Sequence, residues 1–178
     1  IQRGIVAQKE KDFDLADHYF REGVRIRPNS YQARHAMAKN LMERAIEQIE
    51  KGYDSYASHY MDEGLKDIKN IIDNPAYSRG YKYSLHVLID MSIKYYDAIG
   101  KKIDVNDVEY IKDRILELPK GELDSYIINA IEQYIIYCQK HNYKKCREAI
   151  MEKHYDKMTN ILSMVEDDYL IENLDWEY

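Results

Sequence analysis

The stretch FDLADHYFREGVRIRPNSYQARHAMA, residues 13–38, sets the pattern for the whole chain. Its first half carries apolar residues at helical spacing and stops before Pro28, because proline lacks the N–H that a helix interior needs. Asn29 and Ser30 come next, and side chains of this kind cap the unpaired N–H groups at the start of a helix. The stretch therefore predicts a helix over about 13–26, a short turn, and a new helix from residue 31.

Prolines at positions 28, 75 and 119 divide the chain at nearly equal intervals, and evenly spaced helix ends indicate a repeated structural unit. No segment shows the period-two alternation of a half-buried strand. We predict eight helices, over about 2–9, 13–26, 31–50, 54–72, 76–99, 104–118, 124–140 and 143–165. Short turns make neighbouring helices antiparallel. The expected fold is all-α, a right-handed superhelix of stacked helix pairs.

The predicted hairpins cover about 1–28, 29–75, 76–119 and 120–165, and an acidic tail follows over 166–178. The 178 residues, of which 45% are hydrophobic, suffice for a single domain with one core. No apolar run approaches the ~20 residues that cross a bilayer, so neither a membrane span nor a membrane partner is expected. Because the chain begins at Ile1, we expect it to be a piece of a larger protein. A cytoplasmic location is a separate expectation.

The net charge of −6 is concentrated in the tail. The tail contains no Lys or Arg, and its acidic residues are Glu166, Asp167, Asp168, Glu172, Asp175 and Glu177. The rest of the chain is balanced, so nucleic-acid binding is not expected. Two interpretations of the tail stay open. It is either a cap on the last apolar face, as terminal repeats require, or an internal ligand of a basic groove in this chain or a neighbour.

Cys138 and Cys146 are the only cysteines, and we expect both to be reduced. A zinc site that adds His141 and His154 is disfavoured, because the spacing straddles a predicted turn and lacks a paired CxxC. No Gly-rich phosphate loop, HExxH motif or nucleophile elbow is present. We therefore predict no metal, no cofactor and no enzyme activity.

Several residues resemble the tetratricopeptide-repeat family. Ala16, Phe20, Gly23 and Pro28 follow the small–aromatic–small–Pro spacing of the second helix of such a repeat, with Phe13 at the turn. The same spacing recurs in the second pair at Ala57, Met61 and Gly64. The resemblance is good over residues 1–42, fair to about 75 and poor afterwards, and the intervals exceed the ~34 residues of that family. It implies a protein- or peptide-binding scaffold.

In that family the first helix of each pair lines a concave groove. The matching positions, aligned on the prolines, are Gln32, His35, Lys39, Arg79, Lys82 and His86. In the fourth pair the register fails, because Glu132 would fall at a packing position. The six residues predict a polar, basic groove that binds another protein or an acidic peptide through charge-assisted hydrogen bonds. Pairing of two copies, end to end or through the tail, is a further expectation.

An alternative is a helical ribonuclease of the HEPN type, which uses an Arg–His pair on one helix face. Two such spacings occur, Arg79 with His86 and Arg147 with His154. Residues seven apart share a helix face. In that family the histidine acts as acid or base and the arginine stabilises phosphate charge, so the resemblance would imply these roles for the two pairs. With six histidines in the chain the spacing arises easily by chance, and we favour the binding module.

Overall fold

The computed structural model describes residues 1–158 of the chain. Over these residues the fold is all-α, as predicted. The helices are α1 (Gln2–Lys9), α2 (Phe13–Ile26), α3 (Tyr31–Glu50), α4 (Asp54–Ile72), α5 (Tyr81–Ile99), α6 (Val105–Leu116), α7 (Ser125–Lys140) and α8 (Lys144–His154). The bounds of α1 to α4 are those that the sequence predicts.

Polar caps and tight turns explain where the helices begin. The side chains of Asp12 and Ser30 accept hydrogen bonds from backbone N–H groups in the first turns of α2 and α3. Asp104 does the same at α6, accepting from the N–H of Asn106 at 2.8 Å. Each cap satisfies an N–H group that the helix leaves without an internal partner. Lys11 and Asn142 reverse the chain between helices with positive φ angles.

The chain divides into two compact units, one over Ile1–Ile103 and one that starts at Asp104. In the first unit, each of the helices α1 to α4 packs against its successor, and α5 packs against both α3 and α4. In the second unit, α8 packs against α6 and α7. A single superhelix over all the helices stays a prediction, as does the single domain.

Small residues at helix contacts let the first unit pack closely. Ala16 of α2 and Ala57 of α4 are fully buried, and so is the larger side chain of Phe20 on α2. Gly64 lies against α3, where an added Cβ would come within 2.6 Å of Met42 Cγ. A larger residue at this position would separate α3 from α4. Most positions that carry the sequence resemblance are therefore packing positions, whereas Pro28 is exposed.

The start of the fifth helix differs from the prediction. The sequence predicts one continuous helix over 76–99, whereas Pro75–Gly80 form a 3₁₀ segment and α5 begins only at Tyr81. Gly80 has low helix propensity, and an added Cβ there would overlap the ring of Tyr31 from α3. The interruption of the helix at Gly80 therefore lies where α3 approaches the backbone closely.

The second unit is built around buried residues of α6 and α7. Tyr134 of α7 is fully buried and donates a hydrogen bond to the carbonyl of Val108 on α6 at 2.6 Å. The helix predicted over 143–165 is present as α8, followed by a 3₁₀ turn over Tyr155–Lys157. The remainder of that helix and the predicted tail over 166–178 lie outside the described residues. Within residues 1–158, no helix is both long and apolar enough to cross a bilayer.

Candidate binding face on alternate helices of the first unit

The six predicted groove residues occupy α3 and the region around the start of α5. Gln32, His35 and Lys39 lie on α3, Lys82 and His86 lie on α5, and Arg79 lies in the 3₁₀ segment before it. Gln32 and Arg79 are exposed and the other four are half-buried. Lys39 and His86 are electrostatic neighbours of His35. The structure therefore brings these three residues together.

A hydrogen-bonded chain joins α3 to α5 at this place. His35 Nδ1 lies 3.0 Å from Ser84 Oγ, and Ser84 Oγ lies 2.9 Å from the hydroxyl of Tyr31. That hydroxyl donates to the carbonyl of Gly80 at 2.9 Å. If His35 carries its proton on Nδ1, each hydrogen in the chain has an acceptor: His35 donates to Ser84, Ser84 to Tyr31, and Tyr31 to Gly80. Ser84 is fully buried, so a substrate cannot reach it.

Burial also keeps the two histidines of this region, His35 and His86, uncharged. It lowers the pKa of His35 to about 4, and the positive charges of Lys39 and His86 act in the same direction. Burial lowers the pKa of His86 as well, although Asp90 opposes this shift. Both imidazoles are therefore neutral at pH 7. The positive charge of the predicted groove comes from Lys39, Lys82 and Arg79.

Acidic residues partly offset that charge. Lys39 Nζ lies 3.5 Å from a carboxylate oxygen of Glu43, one turn along α3. On α5, Lys94 Nζ lies 3.1 Å from a carboxylate oxygen of Asp90. Both pairs are partly exposed, so they contribute little to stability and can exchange partners. The face is therefore mixed in charge, and less basic than the six predicted residues alone indicate.

A pocket of about 420 Å³ opens toward the other end of α3. Ile46 lies on the same side of α3 as Lys39, since seven residues make nearly two helical turns. The lining residues come from α1, α3, α5, the first turn and the start of α2, and they are Gln8, Lys9, Lys11, Phe13, Glu43, Ile46, Glu47, Glu50, Met91 and Lys94. Its apolar part is Phe13, Ile46 and Met91, and charged side chains surround these three. An apolar floor with a polar rim is typical of a site that holds one side chain of a partner.

Asn40 fixes the wall of this pocket. Its side chain is fully buried, donates to the carbonyl of Phe13 at 3.1 Å, and accepts from Gln8 Nε2 at 3.4 Å. At the rim, Lys11 Nζ lies 2.9 Å from a carboxylate oxygen of Glu47. Because its hydrogen bonds satisfy a buried amide, Asn40 holds α1, the start of α2 and α3 in one arrangement.

The two arginine–histidine pairs differ in where the structure places them. The expectation that Arg79 and His86 share one helix is wrong, because Arg79 precedes α5 and lies in the 3₁₀ segment. His154 is 1% exposed, and its Nε2 lies 3.2 Å from the carbonyl of Ile115. A histidine that transfers protons to a substrate has to reach that substrate. The geometry of the two pairs therefore gives the ribonuclease alternative no support.

The two cysteines of the second unit are buried thiols that form no disulfide bond. Burial raises the pKa of Cys138 to about 12 and that of Cys146 to about 11, so both are protonated at neutral pH. Cys146 Sγ donates to a carboxylate oxygen of Glu109 at 3.4 Å. Among residues 1–158, no three His, Cys, Asp or Glu side chains are grouped so that they could hold a metal ion.

Sequence reasoning missed Tyr31, Ser84 and Asn40. The available signals were weak: Tyr31 follows a cap, Gly80 lies inside a predicted helix, and Asn40 lies on the apolar side of a helix. An isolated polar residue on an apolar face indicates a buried hydrogen bond, but it does not identify the partner. Those partners lie 27 or more positions away in the sequence.

No protein-family model matches this chain, and no curated protein or solved structure matches it. Membership of the tetratricopeptide-repeat family therefore stays a prediction from the residues of the first two helix pairs. The binding face is interpreted from its own residues and contacts.

Proposed function

We propose that this chain is a peptide- or protein-binding module whose binding surface is the face that α1, α3 and α5 share in the first unit. The observation that carries the proposal is the pocket of about 420 Å³, which residues from all three helices line. Pockets of ~300–1,000 Å³ with an apolar floor and a few polar groups are typical binding sites. Alternate helices of a stack of helix pairs form an extended surface of this kind.

The pocket floor and the basic end of the face have different roles in this proposal. Phe13, Ile46 and Met91 receive one apolar side chain of the partner, since burial of such an anchor supplies most of the affinity. Toward the start of α3 and α5, Lys39, Lys82 and Arg79 attract acidic residues next to the anchor. Because Glu43 offsets Lys39, we expect charge to affect the association rate and the specificity more than the affinity.

The polar cluster at the start of α3 holds the face in place and takes no part in binding. Ser84 is fully buried, and His35 is engaged by both Ser84 and Tyr31. Of the six residues predicted from the resemblance, Gln32, Lys39, Arg79, Lys82 and His86 stay candidates for ligand contact. His35 becomes a positioning residue.

The test is quantitative capture of proteins from a lysate on immobilised chain, followed by titration of the captured partner. Three proteins are compared: wild type, Ile46→Asp, and Lys66→Glu as a matched control, because Lys66 is exposed on α4 and does not line the pocket. We expect Ile46→Asp to weaken binding at least tenfold and Lys66→Glu to leave it unchanged. Circular dichroism verifies that all three are folded.

A second variant tests the role of charge. We expect the combined change Lys39→Glu, Arg79→Glu and Lys82→Glu to slow association and reduce its salt dependence. A partner that all variants bind equally would place the interface elsewhere and contradict the proposal. RNA bound in place of protein would also contradict it.

A further inference from the structure

A second pocket, of about 340 Å³, lies at the end of α4 in the first unit. It is lined by Asn29, Arg34, Met37, Asp67, Asn70, Ile71, Asn74 and Tyr77. On α3, Arg34 and Met37 point away from the side that carries Glu43 and Ile46, as their angular positions on the helix require. The pocket therefore does not belong to the face of α1, α3 and α5. Its polar groups have no role in the function proposed above.

The polar groups of this pocket are largely uncommitted. Arg34 uses Nε to donate to the carbonyl of Pro28 at 2.8 Å, which turns the guanidinium back toward the α2–α3 turn. Within residues 1–158, the other guanidinium nitrogens of Arg34 and the carboxylate of Asp67 make no hydrogen bond or ion pair to each other or to a third residue. Burial raises the pKa of Asp67, and nearby Glu63 adds to the shift.

Three carboxamides stand beside these two charged groups. Asn74 uses its Oδ1 to accept from the N–H of Ala76 at 3.0 Å, which leaves its amide hydrogens for another acceptor. Asn29 and Asn70 make no side-chain hydrogen bond within the described part of the chain. A carboxamide offers a donor pair and an acceptor side by side, which is the complement of a peptide N–H and C=O.

The spacing of Asn70 and Asn74 favours an extended peptide over other amide-bearing ligands. Four residues of helix rise about 6 Å, and Asp73 keeps a right-handed helical conformation between the two. In an extended strand, residues two apart present their N–H and C=O to the same edge at a spacing of about 6.6–6.8 Å. The Cα positions of Asn70 and Asn74 are therefore spaced as alternate residues of one strand edge are.

We propose that the pocket at the end of α4 binds an extended peptide segment through its backbone. Asn70 accepts from one peptide N–H and donates to the carbonyl of the same residue. Asn74 donates to the carbonyl two residues further on, and Arg34 donates to a third carbonyl. Met37 and Ile71 form an apolar floor for one side chain of the segment, beside the ring of Tyr77. Recognition by the backbone makes the site tolerant of sequence.

The test uses the peptide acetyl-Thr-Val-Thr-Val-Thr-amide as a probe, because β-branched residues favour extended backbone and the blocked ends carry no charge. The probe is titrated into ¹⁵N-labelled chain while the side-chain NH₂ signals of Asn70 and Asn74 are followed. We expect these signals to shift and saturate. A probe that is N-methylated at its three central residues lacks the required N–H groups, and we expect it to bind at least tenfold more weakly.

Asn70→Ala is the variant that tests the assignment, since Asn70 is exposed and its removal does not disturb the core. We expect it to weaken probe binding at least fivefold. Asn129→Ala, at an exposed asparagine of α7, is the matched control and is expected to bind as wild type does. Equal binding of the N-methylated probe, or no shift at Asn70 and Asn74 at 10 mM probe, would overturn the inference. Shifts at Ile46 and Met91 alone would overturn it too, while supporting the face of α1, α3 and α5.

Discussion

Each compact unit buries a polar side chain in its core, and the two side chains differ in whether they are paired. In the first unit, Ser84 is fully buried and takes part in a hydrogen-bonded chain with Tyr31 and His35. In the second unit, Glu132 is 7% exposed, and within residues 1–158 its Oε1 has no hydrogen-bond partner. A paired buried group fixes how helices pack, whereas an unpaired one costs free energy. The polar cluster therefore stabilises the first unit, and Glu132 destabilises the second.

The largest expected change in stability comes from removing a buried apolar side chain. Phe20 is fully buried against Gly4, where an added Cβ would come within 2.7 Å of Phe20 Cδ1. We expect Phe20→Ala to lower the free energy of unfolding by about 3–5 kcal/mol. Denaturation followed by circular dichroism measures the loss. Leu15→Ala on the same helix is the control, because Leu15 is 41% exposed. A loss smaller than the one expected for Tyr31→Phe, which removes a single hydrogen bond, would contradict the assignment of Phe20 to the core.

Removal of the unpaired charge of Glu132 is the next largest effect. We expect Glu132→Gln to raise the free energy of unfolding at pH 7 by about 1–3 kcal/mol, because a neutral amide is less costly to bury than a carboxylate. Exposed Glu148→Gln on α8 is the control, and we expect a change within ~0.5 kcal/mol. A less stable Glu132→Gln would mean that the carboxylate has a favourable partner, and the contrast between the units would fail.

The gain from Glu132→Gln has a defined pH dependence. Burial raises the pKa of Glu132 above 4.5, so the folded chain holds this proton more tightly than the unfolded chain. The stability that this group contributes is present below pH 4.5 and is lost as the pH rises through the folded-state pKa. The difference between wild type and variant should therefore shrink as the pH falls from 7 toward 4.

The hydrogen-bonded chain of the first unit gives a smaller change of opposite sign. Tyr31→Phe removes the hydroxyl that donates to Gly80, and we expect the free energy of unfolding to fall by about 1 kcal/mol. Tyr56→Phe, at a tyrosine that is 63% exposed, is the matched control. Equal stability of Tyr31→Phe and wild type in urea denaturation would show that the cluster does not stabilise the contact between α3 and α5.

A change in the pH dependence of stability, rather than in stability at pH 7, is expected for His35. Burial lowers the pKa of His35 from 6.5 to about 4, so the unfolded chain binds this proton more readily than the folded chain. The contribution of His35 is present above pH 6.5 and is lost as the pH falls toward 4. We expect His35→Asn, whose amide replaces the ring Nδ1–H without titrating, to flatten stability over this range. His18→Asn, at an exposed histidine of α2, is the matched control. If both slopes are the same, His35 is not buried as described.

Helix positions were largely predictable because they depend on residues near one another. Asp12 and Ser30 cap the N–H groups three positions ahead, and Pro28 prevents the helix from continuing. The fifth helix was the exception. Its first turn depends on Gly80 and on a tyrosine 49 positions away, and no local pattern encodes that contact.

The candidate site was less predictable for the same reason. Lys39 and His86 were expected to lie together, and they do, because both follow from helix alignment. The pocket of Phe13, Ile46 and Met91 was not expected, since these residues come from three segments that only packing brings together. Apolar periodicity indicates which residues pack in a core. It did not indicate which of them would border an opening.

The helices, their caps and the apolar side of each helix follow from the amino-acid sequence, because these properties depend on interactions within a few residues. Which polar groups are paired and which pockets open between helices became known from the folded arrangement. Those outcomes depend on contacts between distant residues, where a difference of one methyl group, as at Gly80 or Gly64, changes how closely two helices approach.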